Sequence, residues 1–134
     1  ILRELYERFD VVGVITQPDK RVGRGRTIQS PPVKNLAIKI GVPVLQPKKL
    51  ATEEVNNILS EWDPDVIIVA AYGKILRSNM LEYPGFGCVN VHASYLPRWR
   101  GASPIQAAIL NGDQATGITI IKMDEGIDTG DIIA

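Results

Sequence analysis

Asp65-Val66-Ile67-Ile68-Val69-Ala70-Ala71-Tyr72 is the stretch whose reading decides the fold. After its opening aspartate it has no polar face to give to water, as expected of a parallel strand covered on both sides. The run is strand-sized and far short of the ~20 apolar residues a membrane-spanning helix needs; no longer apolar run occurs. Upstream, Thr52 can cap a helix whose inward face is Val55, Ile58, Leu59 and Trp62. Residues 42–45 read as a short strand. Val33, Leu36, Ala37 and Ile40 form a helical stripe closed by Gly41. Residues 17–32 hold Pro18, Gly23, Gly25, Pro31 and Pro32 and read as a long loop. Residues 11–16 are a β-branched strand, preceded by Leu2, Leu5, Tyr6 and Phe9 at helical spacing.

Downstream, residues 88–94 form a further strand candidate. Ser103 followed by Pro104 starts a helix, with Gly112 just past its end. Ile118, Ile120 and Met123 belong to another strand, and residues 132–134 begin one more. Strands alternating with helices predict an α/β domain of the Rossmann-like, doubly wound kind with a mostly parallel sheet. The chain opens on Ile1 directly into a helix and stops at Ala134 inside an apolar run, so the domain is expected to be incomplete at both ends. A doubly wound sheet would then leave residues 11–16 and 66–72 flanking an absent first strand, about twice the ~4.8 Å strand spacing apart. On that reading the isolated segment is unstable and inactive.

The net charge of zero hides a split. Residues 20–49 carry eight Lys or Arg and no acid, leaving seven bases against fifteen acids elsewhere. A basic third on an acidic body suits a polyanion such as nucleic acid, or is a solvated loop and helix. One cysteine excludes an internal disulfide framework, and one histidine excludes a metal site built from several imidazoles.

Asn90 and His92 sit two apart on a strand and leave the same face, near the end where open α/β sheets place their ligands. An amide beside an imidazole suits an anionic oxygen; a lone strand histidine can equally be structural. Cys88 shares their parity, but four strand residues put it ~13 Å from His92, beyond hydrogen-bond reach. Ser94 lies outside any G-x-S-x-G elbow, which argues against a serine nucleophile. The turn Asp124-Glu125-Gly126-Ile127-Asp128-Thr129-Gly130-Asp131 lacks calcium-loop spacing. One of its carboxylates could orient His92. Gly23-Arg24-Gly25-Arg26 is too short for either glycine-rich phosphate motif and describes a cationic loop. Pro97-Arg98-Trp99-Arg100-Gly101 could clamp a ligand, or be a surface loop with Trp99 tucked into the body.

The string Asn90-Val91-His92-Ala93-Ser94-Tyr95-Leu96-Pro97-Arg98-Trp99-Arg100-Gly101-Ala102-Ser103-Pro104-Ile105-Gln106, with the 124–131 turn, resembles the folate-dependent formyltransferases. The similarity takes in Thr16-Gln17-Pro18-Asp19, the Gly23-Arg24-Gly25 loop, Ser30-Pro31-Pro32-Val33-Lys34 and Ala70-Ala71-Tyr72-Gly73, hence essentially the whole chain. The Asn-x-His pair and the Ser-x-Leu-Pro loop mark the superfamily. The run from Arg98 to Gln106 and the Arg-Gly loop mark its tRNA-acting branch.

The resemblance implies a formyltransferase fold, with residues 1–134 part of an N-terminal catalytic domain and a C-terminal β-barrel domain lying beyond it. It implies transfer of formyl from 10-formyltetrahydrofolate to the α-amine of initiator methionyl-tRNA, a cytoplasmic step of translation initiation needing no metal and no membrane. Asn90, His92 and Asp128 match the catalytic positions. Asn90 and a protonated His92 would donate to a tetrahedral oxyanion while Asp128 holds the imidazolium. Ser94, Tyr95, Leu96 and Pro97 match the tetrahydrofolate-binding loop, with Tyr95 in place of the commoner Leu and Ala93 in place of a frequent Gly. Arg24, with Lys20, Arg21 and Arg26, falls in the region that meets the tRNA acceptor end. The alternatives are a formyltransferase for a small amine, such as glycinamide ribonucleotide or an amino sugar, and a non-catalytic tRNA- or folate-binding module.

Overall fold

A computed structural model describes residues 1–23 and 27–134. The chain forms two compact units, Ile1–Asp63 and Pro64–Ala134.

In the first unit, α1 (Leu2–Tyr6) leads into β1 (Val14–Ile15), which pairs in parallel with β4 (Val44–Leu45), Val14 opposite Val44. Between them come β2 (Lys20–Val22), β3 (Thr27–Gln29) and α2 (Pro32–Lys39). Pro32 at the start of α2 has the helical φ built in and no N–H to waste, and Gly41 after it sits at φ +78, open to glycine without penalty. Val14, Ala37 and Val42 form the buried centre, with Leu2, Val11, Val33, Ile40 and Val44 packed around them. The last helix, α3 (Glu53–Trp62), is capped as its sequence requires: Thr52 Oγ1 accepts from Val55 N at 3.3 Å. Glu53 and Glu54 in the first turn favour the positive end of the helix dipole, and Val55 and Leu59 are fully buried. The Trp62 ring lies where a Cβ on Gly13 would sit, so only glycine fits there.

Residues 17–32 are not a plain loop. Lys20–Val22 and Thr27–Gln29 pair as an antiparallel hairpin, Arg21 opposite Ile28, because β-branched Thr27 and Ile28 favour extended backbone on the return. Its base is tied down by Asp19, whose carboxylate takes Lys34 Nζ at 2.7 Å and Gln46 Nε2 at 2.8 Å.

In the second unit, β5 (Ile67–Ala70) runs parallel to β6 (Cys88–His92), and β7 (Thr119–Lys122) is antiparallel on the other side of β6. Two short helices, α4 (Ser78–Leu81) and α5 (Pro104–Leu110), fill the connections. Ile132 forms an isolated antiparallel bridge with Ile121. The α/β class stands, but the pairing is mixed, with parallel β1–β4 and β5–β6 beside antiparallel β6–β7 and β2–β3. The expectation of a strand covered on both faces at 65–72 is corrected too: on one face Val66 and Ile68 are each 37% exposed.

Candidate active site

The central strand of the second unit carries the candidate residues Asn90 and His92. β6 alternates, so Cys88, Asn90 and His92 share one face, with Cys88 and His92 buried and Asn90 partly so. Cys88 is no nucleophile: its thiol donates to the Met80 carbonyl at 3.3 Å, and burial pushes it up to about 11.

Asp128 reaches both of the other two. Its Oδ1 accepts from Asn90 Nδ2 at 3.1 Å, and its Oδ2 lies 3.4 Å from His92 Nδ1. The backbone N–H of Gly101 also donates to Oδ2, at 2.8 Å, and Arg100 Nε donates to the Asp128 carbonyl at 2.9 Å. The loop that presents this carboxylate staples itself: Asp124 Oδ1 accepts from Gly126 N and from Thr129 Oγ1 at 2.9 and 2.8 Å. Asp128 stands at φ +52, a left-handed conformation that aspartate tolerates better than most side chains. Gly130 is obligatory, because a Cβ there would meet the Lys122 carbonyl oxygen, which is held in β7 and cannot yield.

His92 has a second partner that no motif announces. Its Nε2 lies 2.9 Å from the Trp99 carbonyl oxygen, a contact that requires a hydrogen on Nε2. Both ring nitrogens therefore face acceptors. A neutral imidazole has one N–H to give, whereas an imidazolium satisfies both at once.

The segment following β6 is folded back by its own hydrogen bonds. Ser94 is fully buried; its hydroxyl donates to the Arg98 carbonyl at 2.6 Å, and its carbonyl accepts from Thr119 Oγ1 at 2.6 Å. Thr119 Oγ1 in turn accepts from Leu96 N at 3.1 Å, and the Leu96–Pro97 peptide is cis. Of the four expected folate-binding positions, Ser94 thus spends its side chain on loop shape, Leu96 is half-buried, and Tyr95 and Pro97 are exposed. Tyr95 borders a cavity of about 240 Å³ that Trp99, Asp113 and Thr116 also line. That cavity does not touch Asn90, His92 or Asp128.

The Trp99 side chain is tucked in, not free to clamp: its Nε1 donates to Asp113 Oδ2 at 2.6 Å while the Arg98 guanidinium lies 4.9 Å over its ring. Trp99, Gly101, Asp113 and Thr119 all shape this region; the sequence marks the 97–101 stretch as a clamp or a surface loop but not these contacts, and it does not mark Asp113 or Thr119. Two act through backbone atoms, and the other two read as a turn and a strand residue.

Lys20 and Arg21 are exposed on β2 and leave opposite faces of the hairpin. Arg24 and Arg26 lie outside the described residues. Among the described residues no cluster of three or more His, Cys, Asp or Glu could hold a metal ion, and no helix is long and apolar enough to cross a membrane.

A buried His–carboxylate pair lies beside an amide at the end of a central strand, and residues 2–134 match the formyl transferase family profile. The chain belongs to that family. It is 56% identical over 133 residues to the methionyl-tRNA formyltransferase of Myxococcus xanthus, covering 99% of this chain and 43% of the relative. The enzyme of the same name from Marinobacter nauticus is 57% identical over 125 residues, covering 93% of this chain and 40% of its own. The chain thus spans about two-fifths of the length of these relatives. Among solved structures, phosphoribosylglycinamide formyltransferase from Streptococcus pneumoniae superposes with a TM-score of 0.81 at 26% identity, over 99% of this chain and 72% of that one. Methionyl-tRNA formyltransferase from Clostridium thermocellum gives a TM-score of 0.59 at 28% identity, over 75% of this chain and 44% of that one.

Proposed function

We propose that this chain supplies the chemical centre of a methionyl-tRNA formyltransferase, acting in the cytoplasm at translation initiation. The reaction type rests on one observation above all: a single carboxylate, Asp128, gathers Asn90 and His92 on the face of β6. The acceptor rests on the sequence, which is 56% identical to an enzyme named for methionyl-tRNA and only 26% identical to one named for phosphoribosylglycinamide.

The donor set fits a folate-borne formyl group. Two nitrogen donors around one carboxylate suit an oxygen that gains negative charge during addition to a carbonyl carbon. 10-Formyltetrahydrofolate, bound as donor substrate, supplies that carbon on a nitrogen leaving group. Asn90 gives one amide hydrogen to Asp128 and keeps the second for the formyl oxygen. His92 is the other donor, its Nε2–H exchanging the Trp99 carbonyl for the same oxygen, while Asp128 holds the charge on Nδ1. The bond from the methionyl α-nitrogen to the formyl carbon forms, the bond to the folate nitrogen breaks, and the amine's proton leaves with that nitrogen. Tyr95, Leu96 and Pro97 would meet the folate, with Ser94 shaping their backbone. Lys20 and Arg21, with Arg24 and Arg26, would meet the acceptor end of the tRNA through phosphate contacts.

The test is formyl transfer by the full-length protein from 10-formyltetrahydrofolate to methionyl-tRNA, against glycinamide ribonucleotide and an amino sugar as competing acceptors. Asn90→Ala and His92→Ala should each lower kcat ~100-fold or more, as loss of an oxyanion donor does. Preference for a small amine would overturn the acceptor, and full activity in either variant would overturn the mechanism.

A further inference from the structure

Asp113 lies just past α5, in a turn that the reaction as proposed does not use. Its carboxylate nevertheless accepts three side chains: Trp99 Nε1 at 2.6 Å, Arg98 Nη2 at 2.8 Å and Asn111 Nδ2 at 2.8 Å. The first two belong to consecutive residues, and the later of them, Trp99, carries the backbone carbonyl that begins the peptide to Arg100. That oxygen is the one 2.9 Å from His92 Nε2.

The hold is needed because Trp99 stands at φ +60, a left-handed conformation that a bulky side chain disfavours. Such a residue persists only where its surroundings over-determine it. Ser94 grips the Arg98 carbonyl from within, and Gly101 gives its N–H to Asp128 at the far end. Neither of these hydrogen bonds involves the indole. Among the described residues, Asp113 alone joins the Trp99 side chain to the rest of the unit by a hydrogen bond, and the Arg98 guanidinium stacked 4.9 Å over the indole ring is anchored on the same carboxylate.

Resting on the function proposed above, we infer that Asp113 is a positioning residue for His92, acting through Trp99: it fixes the backbone carbonyl that keeps the Nε2 hydrogen aimed into the site before substrate takes it. The chain of contacts runs carboxylate, indole N–H, peptide carbonyl, imidazole N–H, carboxylate, from Asp113 to Asp128. Asp113 touches neither the reacting atoms nor His92 itself. Its removal leaves all the chemical groups in place and loosens their aim, and a misplacement of about 1 Å can cost up to ~100-fold in rate.

The experiment uses the full-length protein and four variants: Asp113→Ala, Asp113→Asn, Trp99→Phe and the double variant Asp113→Ala/Trp99→Phe. Asp113→Ala should lower kcat about tenfold with KM for the formyl donor within twofold. Asp113→Asn, which keeps an acceptor for the indole, should recover most of that loss. The double variant should be no slower than the worse single one, because both act through one hydrogen bond. Independently of activity, the His92 Nε2–H resonance of nitrogen-15-labelled protein, identified by its loss in His92→Ala, should shift or vanish in Asp113→Ala. Losses that multiply in the double variant, or an unmoved resonance with unchanged kcat in Asp113→Ala, would overturn the inference. If Asp113→Ala fails to fold, Trp99→Phe, which removes the same hydrogen bond, carries the comparison. A parent that formylates no amine while the resonance still moves would sink the functional reading alone.

Discussion

Asp128→Asn isolates the electrostatic part of the site without changing its volume. The wild-type carboxylate is 13% exposed and faces three nitrogen donors, from Asn90, His92 and Gly101. A carboxamide keeps one oxygen and turns an NH2 group toward at least one of those donors, so a repulsive contact replaces an attractive one. At 3.4 Å from His92 Nδ1 and an effective dielectric of ~20, the forfeited attraction to an imidazolium is about 5 kcal/mol. Desolvation of the pair takes back a substantial share, leaving about 2–3 kcal/mol for the ion pair. If that interaction is present in the transition state, the loss in kcat is about 30- to 150-fold. Single-turnover formylation with full-length protein measures it free of product release, and circular dichroism checks that the variant is folded. A kcat within threefold of the parent would show that the Asp128 charge has no part in the chemistry, and the His92–Asp128 pair would revert to a structural contact.

Gly130→Ala should destabilise the protein by ~1–3 kcal/mol in denaturant melts, because the new methyl meets a β7 carbonyl that cannot move; an unchanged midpoint would mean the 124–131 loop yields more easily than its hydrogen bonds imply. Cys88 should resist alkylation, read by peptide mass mapping: its thiol holds its proton to about 11 instead of 9.0, so reaction should accelerate only as pH climbs toward that value or when the chain is unfolded. Rapid native labelling at pH 8 would contradict its burial. Lys20→Ala and Arg21→Ala should weaken methionyl-tRNA use and lower the salt slope by about one unit for each phosphate no longer neutralised, with folate affinity unchanged. Equal slopes would make the hairpin bystander surface.

What the sequence could reveal was decided by how local the cause was. Thr52, Val55 and Leu59 disclose α3 because a cap and a 3.6-residue stripe are properties of one short segment. The shared face of Asn90 and His92 follows from strand parity alone. Asp128 could be narrowed to an acidic turn but not singled out by spacing, since its contact with Asn90 spans 38 residues and depends on β7 returning antiparallel. The hairpin at Lys20–Val22 and Thr27–Gln29 was hidden by the glycines and prolines around it, whose turn signals outweigh two three-residue strands. The Trp99 carbonyl and the Gly101 N–H had no signature at all: such groups occur all along a chain, and only the fold decides which of them meet a side chain.

Among the described residues, every atom hydrogen-bonded to His92 or Asp128 belongs to a single uninterrupted stretch, from β6 through α5 to β7 and the turn after it. Sites gathered from remote parts of a chain must wait for large loops to close, and each closure costs entropy that grows with loop length. Here the longest of these closures, Asn90 to Asp128, spans 38 residues, so the candidate centre forms from one continuous segment.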